Sequence, residues 1–118
     1  MLLAALLLSA AVQDAPRADP VAFDLRCLII ASQLRSSGDS PTSALGMAAG
    51  LFFFGRVDAR LAEAEIEARM DEEARALANV DRQAAIRACG TFMSERGRAL
   101  TAIGQRLEAR ERGRPGSQ

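Results

Sequence analysis

Histidine, lysine, tryptophan and tyrosine are absent from this chain, and cysteine occurs only twice. Without histidine the chain lacks the usual general base and the commonest metal ligand. Without lysine, arginine carries all 15 basic charges, and 15 acidic residues cancel them to a formal net charge of zero. A general nucleic-acid or anionic-membrane binder would show a basic excess, so neither partner is expected. The all-arginine usage fits GC-rich coding better than a chemical demand for guanidinium. No alternating strand pattern occurs either, and apolar residues recur every three or four positions among alanine, arginine, glutamate and leucine, which predicts helices throughout.

Only one uninterrupted apolar run opens the chain, Leu2 to Leu8 in "MLLAALLLSAAVQDAPRADP". Spanning a bilayer needs about 20 apolar residues, so this run is too short to cross. Its short apolar core and small-residue exit at Ser9-Ala10-Ala11 are those of a secretory signal covering residues 1–11, although no arginine or lysine precedes the run. Its membrane contact would then be confined to export. The competing readings are an N-terminal helix that stays and packs, or an uncleaved anchor on an envelope protein. About 100 residues remain after removal, enough for one helical domain over residues 19–111. The segment 112–118, rich in arginine, glycine and proline, is expected to fray as a disordered tail.

Cys27 and Cys89 form an even pair, and in an exported chain such a pair predicts a disulfide. The bridge would close a loop of about 62 residues, worth ~4 kcal/mol by the chain-entropy estimate. In a reducing compartment the same two residues would be buried thiols.

Four helical segments can be drawn. The first opens at Asp19-Pro20, a cap followed by proline at the first helical position. It is apolar on nearly every side around Leu25 to Ala31, which predicts a central helix. A polar linker, "SSGDSPTS", leads to the second, which starts at Ser40-Pro41 and carries Gly46 and Gly50 four apart. That G-x-x-x-G spacing can mark close helix pairs in membranes, but with only about a dozen apolar residues a buried soluble helix is expected. Phe52, Phe53 and Phe54 point in three directions, so they should touch more than one neighbour. Leu45, Met47, Leu51 and these three phenylalanines are the candidate partner surface. The third segment, from Asp58 to Asn79, places Ala62, Ile66, Met70, Ala74 and Leu77 on one stripe. Its flanks offer Glu65–Arg69 and Asp71–Arg75 as i,i+4 ion pairs.

The fourth segment, about Asp81 to Arg110, holds the most regular pattern in the chain. Gly90, Gly97 and Gly104 recur every seven residues, and so do Ile86, Met93, Leu100 and Leu107. In heptad notation the large residues take d and the glycines take a. Each glycine costs a helix roughly 1 kcal/mol against alanine, a loss that close backbone approach would offset. The expected partner for this seam is a small-residue helix, above all the Gly46–Gly50 segment. The pattern alone leaves open whether the seam is internal or joins two chains.

No catalytic or cofactor pattern emerges. Ser94 adjoins Glu95, but successive helix residues do not face each other. Glu63, Glu67 and Asp71 make an acidic row with no loop to wrap a cation, which is expected to be a solvated surface rather than a metal site. No glycine loop follows a strand to cradle phosphate. The cysteines are too far apart for a redox C-x-x-C motif. The expectation is therefore a non-enzymatic protein without cofactor or metal.

With Cys27, then "SPTSALGMAAG", then Cys89, the stretch from about Leu25 to Leu100 resembles the HdeA acid-stress chaperone group of small periplasmic helical proteins. It also resembles the related immunity proteins that neutralise type VI secretion effectors. The third helix is longer and more charged than in that group, and the cysteines stand further apart. The resemblance implies a disulfide-clamped helical fold bridged by Cys27 and Cys89, with no catalytic residues. It also implies a periplasmic or secreted binding module, chaperone-like or inhibitor-like, whose partner is another protein or a second copy of the chain.

Overall fold

The computed structural model describes residues 19–116. The expected signal segment, residues 1–11, lies outside the described residues. Four helices follow in order: α1 (Pro20–Arg35), α2 (Ser40–Asp58), α3 (Glu63–Leu77) and α4 (Arg82–Arg112). No strand occurs among the described residues. The chain is all-α, and a Cys27–Cys89 disulfide joins its first and last helices.

Three of the four helices start on an aspartate that accepts backbone N–H bonds. Asp19 accepts from Val21, Asp39 from Thr42, and Asp81 from Gln83 and Ala84. These carboxylates satisfy donors that have no intrahelical partner. For α2, which starts at Ser40 as expected, the cap is the preceding Asp39 and not a serine hydroxyl, because an ionised carboxylate accepts more strongly.

α1 is the central helix, as its all-round apolar middle predicts. Leu25, Cys27, Ile30 and Ala31 are each at most 3% exposed. α2 runs back along it, pairing Asp24 with Arg56 and bringing Phe53 into the same core as Cys27. α3 follows the direction of α1, with Asp19 meeting Arg69 and Arg26 meeting Glu73. Leu25 and Val57, both fully buried, close a second small core with Ile66. α4 turns antiparallel again, since Phe23 meets Phe92 while the later Cys27 meets the earlier Cys89.

Two sequence expectations change at α3. Residues 59–62 form the end of α2 and a turn, with Leu61 packed beside Val57 and Ile66, so α3 begins at Glu63 instead of Asp58. Ala62 and Ala74 stand exposed, and the buried side of α3 is Ile66, Met70, Glu73 and Leu77. The local Glu65–Arg69 pair gives way to a longer-range one, because the Arg69 guanidinium reaches Asp19 at 2.8 Å.

The glycines divide sharply. A Cβ built on Gly46 would collide with the Arg35 backbone nitrogen and lie 2.7 Å from the Ala31 carbonyl oxygen. α1 therefore crosses α2 at a point that only glycine can occupy. A Cβ on Gly50 would meet the Ala31 methyl at an ordinary 3.9 Å. The small-residue partner of Gly46 and Gly50 is thus α1, and the expected seam between them and α4 is not formed. A Cβ on Gly90, Gly97 or Gly104 would meet nothing within 4 Å. Of the large seam residues, Ile86 and Met93 pack against the core, whereas Leu100 and Leu107 are exposed. The physical reason is length. α4 has 31 residues, about 46 Å of helix, and its last contribution to either hydrophobic core is Met93. Beyond that point no residue of α4 is buried. The helix ends at Arg112, followed by a turn through Gly116, which is the one residue with positive φ among the described residues.

Candidate functional site

The disulfide organises the largest cluster of aromatic rings among the described residues. With Cys27 and Cys89 held at a Cα separation of 5.6 Å, Phe92 projects one turn later onto the start of α1. Its ring lies 5.4 Å from that of Phe23 in an edge-to-face arrangement, and Phe52 and Phe53 complete the cluster. Such pairs contribute roughly 0.5–1.5 kcal/mol each beyond the area they bury.

Charge is threaded through this apolar centre. Asp24 is fully buried. Arg56 Nε donates to its Oδ1 at 2.9 Å, and Arg60 Nη1 approaches Oδ2 at 3.7 Å. The same Arg56 guanidinium stands 4.6 Å from the centre of the Phe92 ring, a cation–π contact. Arg26 Nε donates to Glu73 at 2.7 Å. None of these five charged positions was singled out from the sequence. Their one signal was a carboxylate and a guanidinium, Asp24 and Arg26, inside the otherwise apolar run "VAFDLRCLII". Buried charges need partners, but the partners stand 32 and 47 residues away.

Between the start of α1 and the middle of α4 lies a groove of about 450 Å³, walled by Phe23, Arg26, Arg56, Thr91, Phe92 and Glu95. Its floor is aromatic. Both guanidiniums at its edge are already engaged by carboxylates, which leaves little free positive charge for an anion. The arrangement suits an apolar or aromatic group. Among the described residues no group of three histidine, cysteine or acidic side chains is placed to hold a metal.

The candidate partner surface on α2 is only partly where the sequence placed it. Phe53 is 1% exposed and belongs to the core, and Phe52 is half-buried against the other rings. Phe53 is removed from the surface, and Phe52 partly so, because Phe53 stands on the side of α2 that carries Gly46, Ala49 and Val57 against α1 and Phe52 leans on its ring. Met47, Leu51 and Phe54 follow an i, i+4, i+7 spacing on the opposite, outward side. Leu51 is 69%, Met47 47% and Phe54 41% exposed, and Leu45 stands exposed on a flank.

One ionisable pair on the rim is shifted from its ordinary values. The hydrogen bond from Arg69, aided by that from the Val21 N–H, holds the Asp19 carboxyl below the ordinary aspartate range. The same contact raises Arg69 above the ordinary arginine value.

No protein-family model, curated protein or solved structure matches this chain.

Proposed function

We propose that the protein is a small exported helical module that binds other proteins through apolar surface rather than catalysing a reaction. The observation that carries this reading is the outer side of α2, where Met47, Leu51 and Phe54 present a contiguous apolar stripe to solvent. Grouped exposure of this kind marks interaction surfaces, whereas single exposed apolar residues are ordinary. The helix behind it is firmly seated, with Phe53 and Val57 buried and Gly46 locked on α1. The stripe is therefore offered on a rigid support.

The disulfide supports an oxidising compartment, the periplasm or the exterior, and the apolar Leu2–Leu8 run supports export. The order of Cys27, the small-residue helix and Cys89, which resembles that of the HdeA-like and immunity proteins, supports a chaperone-like or inhibitor-like role. The second reading, an envelope protein held by an uncleaved N-terminal segment, draws on the same apolar run. No helix among the described residues is long and apolar enough to cross a membrane. Release by osmotic shock separates the two readings, since an anchored chain would stay with the membrane.

The binding function is tested with a client of known behaviour. Purified protein with its disulfide intact is mixed with heat-denatured citrate synthase in the absence of any reductant, and aggregation of that client is followed by light scattering. Scattering should fall in proportion to added protein, and Leu51→Glu should abolish the effect while leaving the helical circular dichroism unchanged. If the wild-type protein leaves scattering unaltered at several-fold molar excess, at neutral and acidic pH alike, the chaperone-like reading is lost.

A further inference from the structure

The apolar side of α4 does not stop where the body of the molecule stops. Cys89 and Met93 use it to dock on the core. The same side continues as Leu100, Ile103 and Leu107, which are 70%, 45% and 52% exposed, with no described residue packed over them in either core. Gly90, Gly97 and Gly104 lie between these large residues and are open to any atom that approaches.

We propose that this side of α4 is a dimer interface, covered by the α4 of a second copy of the chain running antiparallel along Gly90 to Leu107. The heptad pattern selects the direction. In a parallel pair, a positions meet a and d positions meet d, so glycine would face glycine and leucine would face leucine. Voids and over-wide layers would alternate along such a pair. In an antiparallel pair, a meets d. Gly90 then receives Leu107 of the second copy, Gly97 receives Leu100, and Gly104 receives the solvent-facing part of Met93, which is only half-buried against its own core, each layer repeated by the two-fold axis. Every layer holds one large residue and one glycine, so the two backbones approach uniformly.

Charge selects the register. In this alignment Arg87 at position e stands opposite Glu108 of the second copy, twice by symmetry, and the Arg96 stem lies across Ile103. Both Arg87 and Glu108 are solvent-exposed in the single chain, Glu108 with only an exposed i,i+4 contact to Arg112 at 3.8 Å that a second copy would share. Sliding the pair one heptad toward the helix tips sets Arg96 against Arg110. Sliding it the other way sets Arg96 against its own symmetry mate. Only the intermediate alignment pairs opposite charges and seats both exposed leucines. Five turns of paired helix bury on the order of 1,000 Å² in total, the lower end for a specific interface. The dimer is therefore expected to dissociate in the micromolar range. It uses a different surface from the α2 stripe, so neither proposal stands or falls with the other.

Sedimentation equilibrium of the disulfide-intact chain over about 1–200 µM reads the assembly. The wild type should move from monomer to dimer across this range. Leu100→Glu, at a position the monomer leaves exposed, should weaken association more than tenfold without altering the helical spectrum. Arg87→Glu and Glu108→Arg should each weaken it several-fold, and the double exchange R87E/E108R should restore it. A wild type that stays monomeric at 200 µM overturns the proposal, whatever else covers the helix. A dimer indifferent to Leu100→Glu, or one that the double exchange does not restore, overturns it equally. If α4 amides from residue 97 onward are protected from exchange only while residues 1–18 remain attached, the occupant is that segment and not a second copy.

Discussion

Gly46 and Gly97 are the same residue type, each in the middle of a helix and each within a regular spacing of small residues, yet their surroundings are opposite. Gly46 is pressed against the backbone of α1 so closely that a methyl group has no room, while Gly97 faces open space. The difference teaches that small-residue spacing encodes a capacity for close approach, and that the capacity is used only where another backbone is within reach. For Gly46 the reach is short, since a four-residue linker folds α2 directly back on α1. For α4 the reach is fixed by the disulfide at Cys89, near the start of a long helix, so most of the glycine row hangs beyond the body.

The largest effect should come from releasing the helix that carries the second row. Replacing both cysteines by alanine, Cys27→Ala with Cys89→Ala, is expected to cost about 4 kcal/mol in urea unfolding, because the bridge closes a loop of 62 residues. A loss below about 1 kcal/mol would show that ring packing around Phe92 seats α4 without the bridge. Next in size is Gly46→Ala, where the obstructing atoms are backbone and cannot swing aside. α1 and α2 must separate locally, and a loss of about 3 kcal/mol is expected, the upper part of the range for overpacking. An unchanged midpoint would mean that the hairpin can open at no cost and that the two glycine rows do not differ.

Gly97→Ala reverses the sign. With no neighbour to strike, the new methyl should add about 1 kcal/mol of helix stability, seen as slower amide exchange through residues 95–105 in dilute solution. At concentrations where the chain dimerises, the same methyl fills the seat of Leu100 from the second copy and should weaken association. Stabilisation at both concentrations would leave the row open with nothing to receive, and would break the comparison from the other side.

Much of the fold was legible because the deciding signals are local. Asp-Pro and Asp-Ser-Pro helix starts, apolar spacing of three and four, and an even cysteine pair all act over short stretches, and the four helices follow from them. The bridge between Cys27 and Cys89 could be expected from their number alone once export was assumed. What the sequence did not disclose depends on distance along the chain. Asp24 tolerates full burial only because Arg56 and Arg60 arrive from another helix. Phe53 is core and Phe54 surface only because Gly46 decides which side of α2 meets α1. The glycine row of α4 was readable as a pattern, but its openness follows from where the body ends, which no local signal marks.

The smallest effect concerns the far rim of the body, where acid should act on α1 and leave the glycine row of α4 untouched. Asp19 ties the first turn of α1 to Arg69 of α3 at 2.8 Å. That bond, with the cap to Val21, depresses the Asp19 pKa in the folded chain. A depressed folded-state pKa means that the unfolded chain takes up the proton first as pH falls. The contribution to stability is therefore complete above the ordinary aspartate pKa, and it is lost as pH drops through the lower folded value. Asp19→Asn keeps an acceptor for the cap but removes the charge, so it should lower the urea midpoint slightly at neutral pH. The gap from wild type should close in the acid range, with the wild type descending to meet the variant. Because the site is exposed, added salt should narrow the gap at neutral pH as well. A gap that stays constant from neutral to strongly acidic pH would show that the cap, and not the Arg69 contact, is what Asp19 contributes. The start of α1 would then be held by local geometry alone, as the free end of α4 is.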